Sequence, residues 1–169
     1  EDLRERDINP YPYRYEVTHK SSELKEKFES LEGEKASLAG RIMAIREHGK
    51  STFMDLQDST GTIQIYLKAD TLEDDYDLIG DLDIGDFLGV SGEVMKTRMG
   101  EVTIWVKDME ILSKSLHPLP EKWHGLTDRE EKYRHRYLDL IANEESVRIF
   151  KKRSQIIQTI RDFLNEREF

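Results

Sequence analysis

Between residues 36 and 113 the apolar side chains recur at every second position, and this alternation constrains the fold more than any other feature of the chain. Five stretches carry it: ASLAGRIMAIRE (36–47), STFMDLQ (51–57), TIQIYLK (62–68), DFLGVSGEVMKT (86–97) and EVTIWVKDMEIL (101–112). Gly40 inside the first allows a bend or a bulge. DSTG turns the second into the third, and MG leads into the fifth. Residues 70–83 break the alternation and set Leu72, Tyr76 and Ile79 along one side of a helix. The order is therefore three strands, a helix and two strands.

Short antiparallel strands expose their edges unless the sheet closes on itself. The prediction is a mainly β chain with added helices, built on a five-stranded barrel of the oligonucleotide/oligosaccharide-binding (OB) arrangement. An SH3-like barrel and a small sandwich compete for the same pattern.

The tripeptide Gly49-Lys50-Ser51 resembles the end of a phosphate-binding loop. That loop needs a Gly five residues earlier and a helix afterwards. Ala44 stands at the earlier position, and TFMDLQD continues as a strand. A tight strand-to-strand turn, with Gly49 in an unusual backbone conformation, is the expectation.

Alternation also assigns sides. Thr52, Met54, Leu56, Ile63, Ile65, Leu67, Val102, Ile104 and Val106 form the inward set. Phe53, Asp55, Gln64, Tyr66, Glu101 and Trp105 fall on the opposite side. Aromatic rings among hydrogen-bonding groups suit unpaired bases, which stack on rings and offer their edges to amides and carboxylates. Uracil presents acceptor, donor, acceptor: a carboxylate can take its ring N–H, and an Arg or amide can donate to its carbonyls. The competing reading makes Phe53, Tyr66 and Trp105 ordinary core beneath the N-terminal arm or the helix at 21–31.

Composition narrows the classes. Cysteine is absent, which excludes disulfides and thiolate chemistry and fits the cytoplasm. No apolar run is long enough for a membrane helix, and the charged, then proline-containing start EDLRERDINPYPY is unlike a signal peptide. The five His residues show no ligand spacing, so no metal site is expected, and no catalytic pair stands out. The net charge of −9 argues against a long polyanion, but the acidity is local: residues 70–86 hold 8 acids and no Lys or Arg. Recognition of a few bases fits this balance better than non-specific backbone binding.

Residues 1–35 read as an arm followed by one short helix, SSELKEKFESL, with Ser21 or Ser22 as N-cap and Leu24, Phe28 and Leu31 on one stripe. Residues 114–145 read as a proline-containing linker and a charged helix begun by Thr127 or Asp128. Residues 146–169 continue an amphipathic helix whose stripe includes Phe150, Ile157, Ile160 and Leu164.

The stretch HPLPEKWHGLTDREEKYRHRYLDLI (117–141) closely resembles the join between anticodon domain and catalytic domain in bacterial-type, class II lysyl-tRNA synthetases. NPYPYRYEVTH (9–19), AGRIMAIREHGKSTFMDLQDSTGTIQIY (39–66) and RSQIIQTIRDFLNEREF (153–169) resemble the same family in the same order. Aspartyl and asparaginyl relatives share the barrel and a KYRYLDL core but not the LPEKWHGL lead-in.

The resemblance implies an N-terminal OB domain (36–113) that binds the anticodon loop of tRNA-Lys, followed by a class II catalytic domain. By resemblance, Phe53 stacks on the central anticodon base, Gln64 partners it, and Arg46 and Glu101 bond anticodon bases. Arg41 and Lys50 are candidates for phosphate contacts. The helix at 146–169 resembles the start of motif 1, through which the family forms homodimers. Motifs 2 and 3, which hold ATP, are not in this sequence. The expectation is thus part of a longer enzyme that attaches lysine to tRNA with ATP and Mg²⁺, the part itself needing no cofactor and being inactive. The alternatives are an aspartyl- or asparaginyl-type anticodon domain and a stand-alone OB module for single-stranded nucleic acid.

Overall fold

All five alternating stretches are strands in the computed structural model, which describes residues 2–119 and 128–169. They are β1 (Lys35–His48), β2 (Ser51–Gln57), β3 (Thr62–Lys68), β4 (Phe87–Lys96) and β5 (Val102–Ser113). They close into a barrel in the order β1-β2-β3-β5-β4, with β4 returning to β1. Neighbours are antiparallel except β3 and β5, which run parallel. This is the OB arrangement. Closure pairs every strand on both sides and so removes the exposed edges that the sequence pattern would otherwise leave.

The inward set fills the barrel. Leu38, Ile42, Met54, Leu56, Ile63, Ile65, Leu67, Leu88, Val90, Val94 and Ile104 are essentially inaccessible. β2 and β3 alternate strictly between buried and half-buried positions.

β1 serves two neighbours: residues 35–41 pair with β4 and residues 41–48 with β2. Gly40 lies where the partners change, and a Cβ there would stand 2.8 Å from the Gln57 carbonyl oxygen. The bulge itself falls later. Ile42 pairs with Leu56 and Ala44 with Asp55, so Met43 is the extra residue. An extra residue reverses the facing of everything after it. Ala36, Leu38 and Ile42 point inward, but beyond the bulge Ile45 takes the inward place opposite Met54 and Arg46 turns outward opposite Phe53.

Gly49 has φ +60° and, with Lys50, makes the two-residue turn between paired His48 and Ser51. Gly at the first central position is what a type II′ hairpin turn requires. The phosphate-loop likeness is therefore a hairpin.

The segment between β3 and β4 is helical, first α4 (Ala69–Leu72) and then a 3₁₀ stretch over Glu73–Asp81. Leu72, Leu78, Ile79 and Leu82 join the barrel core, and Tyr76 meets Thr52 hydroxyl to hydroxyl at 3.0 Å.

Preceding the barrel are α1 (Asp2–Glu5), α2 (Ser21–Glu26) and α3 (Phe28–Leu31). The single helix expected over 21–31 is broken at Lys27, yet its stripe holds: Leu24 is fully buried and Phe28 and Leu31 pack on the core. Neither Ser21 nor Ser22 is the N-cap. That position is Lys20, which gives no side-chain cap, and the orphan N–H groups are taken from across the fold. The Ser21 N–H donates to Asp58 Oδ2 at 2.7 Å and the Ser22 N–H to Thr60 Oγ1 at 3.2 Å.

The arm lies along β1 and β4. The Thr18 N–H donates to the Ser37 carbonyl at 2.9 Å, Ser37 Oγ donates to the Glu16 carbonyl at 2.6 Å, and the Tyr15 ring covers Gly89.

The chain divides into two compact units at 118/119. The described part of the second holds α5 (Arg129–Arg134), α6 (Arg136–Ala142) and α7 (Glu144–Asn165). Asp128 caps α5 by accepting from the Glu131 N–H at 2.9 Å, and Asn143 caps α7. Thr127, the other cap candidate, and the middle of the proline-containing connection (120–127) lie outside the described residues. No helix among the described residues is long and apolar enough to cross a membrane.

Candidate nucleic-acid interface

The strand registers order the candidate face into two rows. One row runs Arg46, Phe53, Tyr66, Trp105, Glu93 across β1, β2, β3, β5 and β4. The other runs Ala44, Asp55, Gln64, Thr103, Met95. Phe53 and Gln64 are thus diagonal neighbours, within reach of one ligand.

Rings occupy the first row. Phe53 and Tyr66 have centroids 4.8 Å apart with planes tilted by 33°, and His48 meets Phe53 edge-on at 6.2 Å. Phe53 is half-buried. Phe53 is not among the core residues, whereas the 21–31 helices bury their own stripe, Leu24, Phe28 and Leu31, in the core.

Polar pairs flank the rings. Arg46 donates from both terminal nitrogens to Asp55, at 2.9 Å to Oδ2 and 2.6 Å to Oδ1. This fork, together with the nearby Glu101 charge, raises the Arg46 pKa above its ordinary value despite some burial. A guanidinium has five N–H donors, so most remain available to a ligand. On the other flank Thr103 Oγ1 donates to Gln64 Oε1 at 3.0 Å, and Gln64 Nε2 donates to Glu101 Oε2 at 2.9 Å. The amide is held at both ends. Glu101 is itself placed by the β4–β5 turn, where the Thr97 N–H donates to the Glu101 carbonyl at 2.9 Å and Gly100 has φ +88°.

Phe53, Gln64, Glu101 and Arg46 therefore lie together on one face. Lys50 stands exposed at the tip of the β1–β2 hairpin beside them. Arg41 lies before the bulge. Its NH1 donates to the Gly85 carbonyl at 2.9 Å, its guanidinium covers the Phe87 ring at 4.3 Å, and burial lowers its pKa.

Asp55 and Thr103 are the members that sequence reasoning did not single out. Alternation put Asp55 on the correct side, and Thr103, two residues before Trp105, shares that side. Nothing in the sequence showed that the bulge would bring Arg46 to Asp55, or that Thr103, buried although on the outward side, would hold the Gln64 amide.

The arrangement offers a ring platform with a charged fork on one side and a fixed amide–carboxylate pair on the other. These are the donors and acceptors that flat heterocycles with polar edges require.

Comparison with known proteins agrees with this geometry. Residues 36–112 match the family model described as OB-fold nucleic acid binding domain, and residues 128–169 match tRNA synthetases class II (D, K and N). The chain is 51% identical over 169 residues to a lysine–tRNA ligase of Carboxydothermus hydrogenoformans, covering 99% of this chain and 35% of the relative. It is 53% identical over 169 residues to that of Thermoanaerobacter pseudethanolicus, covering 99% and 34%. For the Thermotoga maritima enzyme the figures are 48% over 177 residues, covering 100% and 35%. The chain thus spans about a third of the length of these curated relatives. Both family models are matched in the same order, and the chain is similar to these lysine–tRNA ligases along its whole length, with about half of its residues shared.

Proposed function

We propose that the β2–β3–β5 face binds the anticodon loop of tRNA-Lys. The carrying observation is the Phe53–Tyr66 ring pair set between the Arg46–Asp55 fork and the Thr103–Gln64–Glu101 chain. Phe53 stacks on the central base, Gln64 and Glu101 read its edge or a neighbour's, and Arg46 donates to a base carbonyl. Lys50 takes a phosphate. Arg41 is the second phosphate candidate, and to serve it must exchange its contact with Gly85.

In this reading the chain supplies recognition, while the parent enzyme, using ATP and Mg²⁺, forms lysyl-adenylate and transfers lysine to the tRNA in the cytoplasm. The stripe of α7, with Ile157, Ile160 and Leu164 exposed, serves a homodimer interface in that enzyme.

The test is a titration of the chain with a lysine anticodon stem-loop and with the same stem-loop carrying the asparagine or aspartate anticodon. Tightest binding to the lysine anticodon is expected. Phe53→Ala should weaken it by about tenfold or more, the loss of one stacked base at roughly 1–3 kcal/mol. Equal binding by Phe53→Ala and the wild type rejects the site. Preference for another anticodon assigns the face to a related synthetase, and similar affinity for unrelated strands with a steep salt slope assigns it to a general single-strand module.

A further inference from the structure

The aromatic row does not stop at Tyr66. Trp105 is the next member, paired with Tyr66 across the parallel β3–β5 contact and with Glu93 across β4. Two features set it apart. Its Nε1 is the one buried side-chain nitrogen or oxygen without a hydrogen-bond partner among the described residues. Its ring is covered by Lys107, whose Nζ lies 3.2 Å from the ring centroid.

A buried indole N–H normally finds an acceptor, and one without any needs an explanation. Packing alone gives none. Lys107 is only loosely held elsewhere: its ion pair with Glu93 spans 3.9 Å, and both side chains are over a third exposed. Such a pair contributes little. Lys107 also lines a cleft of about 340 Å³, shared with Thr18, Lys35, Ser37, Ser91 and Glu93, so its ammonium has somewhere to go on leaving the ring.

We infer that Trp105 is a second base-stacking platform, taking a nucleotide beside the one on Phe53. Lys107 occupies the ring when no RNA is bound and turns to the phosphate of the incoming nucleotide. The inference rests on the anticodon reading above. A stacked base matches or outweighs a cation resting on this half-buried ring, and the released ammonium gains a phosphate, so the exchange favours the complex. Adjacent strands are about 4.8 Å apart, which places Trp105 two strand spacings from Phe53 along the row. An oxygen of the entering nucleotide satisfies the indole N–H as Lys107 departs. The platform therefore adds a nucleotide to the recognised segment without adding a fixed positive charge to the face.

The experiment uses the whole chain with Trp123→Phe, which leaves Trp105 as its single tryptophan. Titration with a lysine anticodon stem-loop should change the Trp105 fluorescence with the same midpoint as binding followed by anisotropy. Trp105→Leu, which keeps an apolar side chain but no ring, should weaken binding about tenfold, and Trp105→Phe should recover most of it. Abasic substitution along the loop should reveal one position whose loss weakens the wild type but adds nothing to Trp105→Leu. Lys107→Met should lower the salt slope by about one counterion. If Trp105→Leu binds as the wild type does while Phe53→Ala does not, the second platform is rejected and the anticodon reading stands. If every abasic position weakens Trp105→Leu as much as the wild type, the platform is likewise rejected. If neither Phe53→Ala nor Trp105→Leu weakens binding, the anticodon reading itself fails.

Discussion

Arg46 and Asp55 are diagonal neighbours across the β1–β2 pair and share two hydrogen bonds of 2.9 and 2.6 Å. The pair is partly open to solvent, so its worth to stability is small. Its consequence is geometric. A planar fork held by a carboxylate is aimed before any ligand arrives, and Lys cannot reproduce that fork. Arg46→Lys should therefore weaken lysine anticodon stem-loop binding nearly as much as Arg46→Ala does, by about tenfold. Anisotropy titrations of the two variants check this. A Lys variant that binds like the wild type would show that charge alone matters here.

Thr103 is buried on the outward side of β5 and donates to Gln64 Oε1. Thr103→Val keeps the shape and removes the donor, freeing the amide to rotate. We expect stem-loop affinity to fall about three- to tenfold, with stability changed by no more than about 1 kcal/mol. Parallel binding and urea-denaturation measurements separate the two effects.

Gly92 sits where β5 bulges against β4, with Lys107 as the extra residue, and a Cβ on Gly92 would lie 2.1 Å from the Trp105 carbonyl oxygen and 2.9 Å from Val106 Cα. Both are backbone atoms and cannot move aside cheaply. Gly92→Ala should cost about 2–3 kcal/mol or more of stability. Gly33, where no atom lies within 4 Å of an added Cβ but φ is +80°, makes a comparison of strain without crowding. Denaturant midpoints of the two Ala variants measure the difference.

Asp58 ties the arm helix to the β2–β3 turn. Burial acts to raise its pKa, but bonds from Ser21 and Thr60 outweigh it and bring the value down to about 2. A carboxyl with a pKa lower in the folded chain than in the unfolded one binds fewer protons when folded. Its contribution is thus fully present above about pH 4 and is lost as pH falls towards 2. Asp58→Asn should have a lower urea midpoint than the wild type at pH 6, and the gap should narrow steadily from pH 4 to pH 2. A gap independent of pH over that range would mean that the charge is not what matters.

Much of this was legible because the side-chain period of a strand is two. Phe53, Gln64, Tyr66, Trp105 and Glu101 were sorted onto one side from the sequence, and β2 and β3 keep that sorting throughout. The buried stripe of Leu24, Phe28 and Leu31 was equally visible, although the helix bearing it is broken at Lys27. The cap of that helix was not visible, because its acceptors, Asp58 and Thr60, come from a turn nearly forty residues away. Arg46 was another case. Counting by twos from Leu38 and Ile42 puts it inside the barrel, and only the resemblance made it a site residue. Its outward position depends on the bulge at Met43, for which the sequence offered Gly40 as the nearer signal.

The sequence by itself determined the number of strands, their order, the faces of the regular ones and the place of the acidic helical insert. These follow from local period and turn chemistry, which act between residues close in the chain. Tertiary structure alone decided the rest: the bulge that turns Arg46 towards Asp55, the parallel β3–β5 contact that sets Trp105 beside Tyr66, and the path of the arm along β1 and β4. Each depends on register between distant strands or on which surface a distant segment covers. Register is fixed only when the barrel closes and its interior must fill, and local pattern carries no record of that closure.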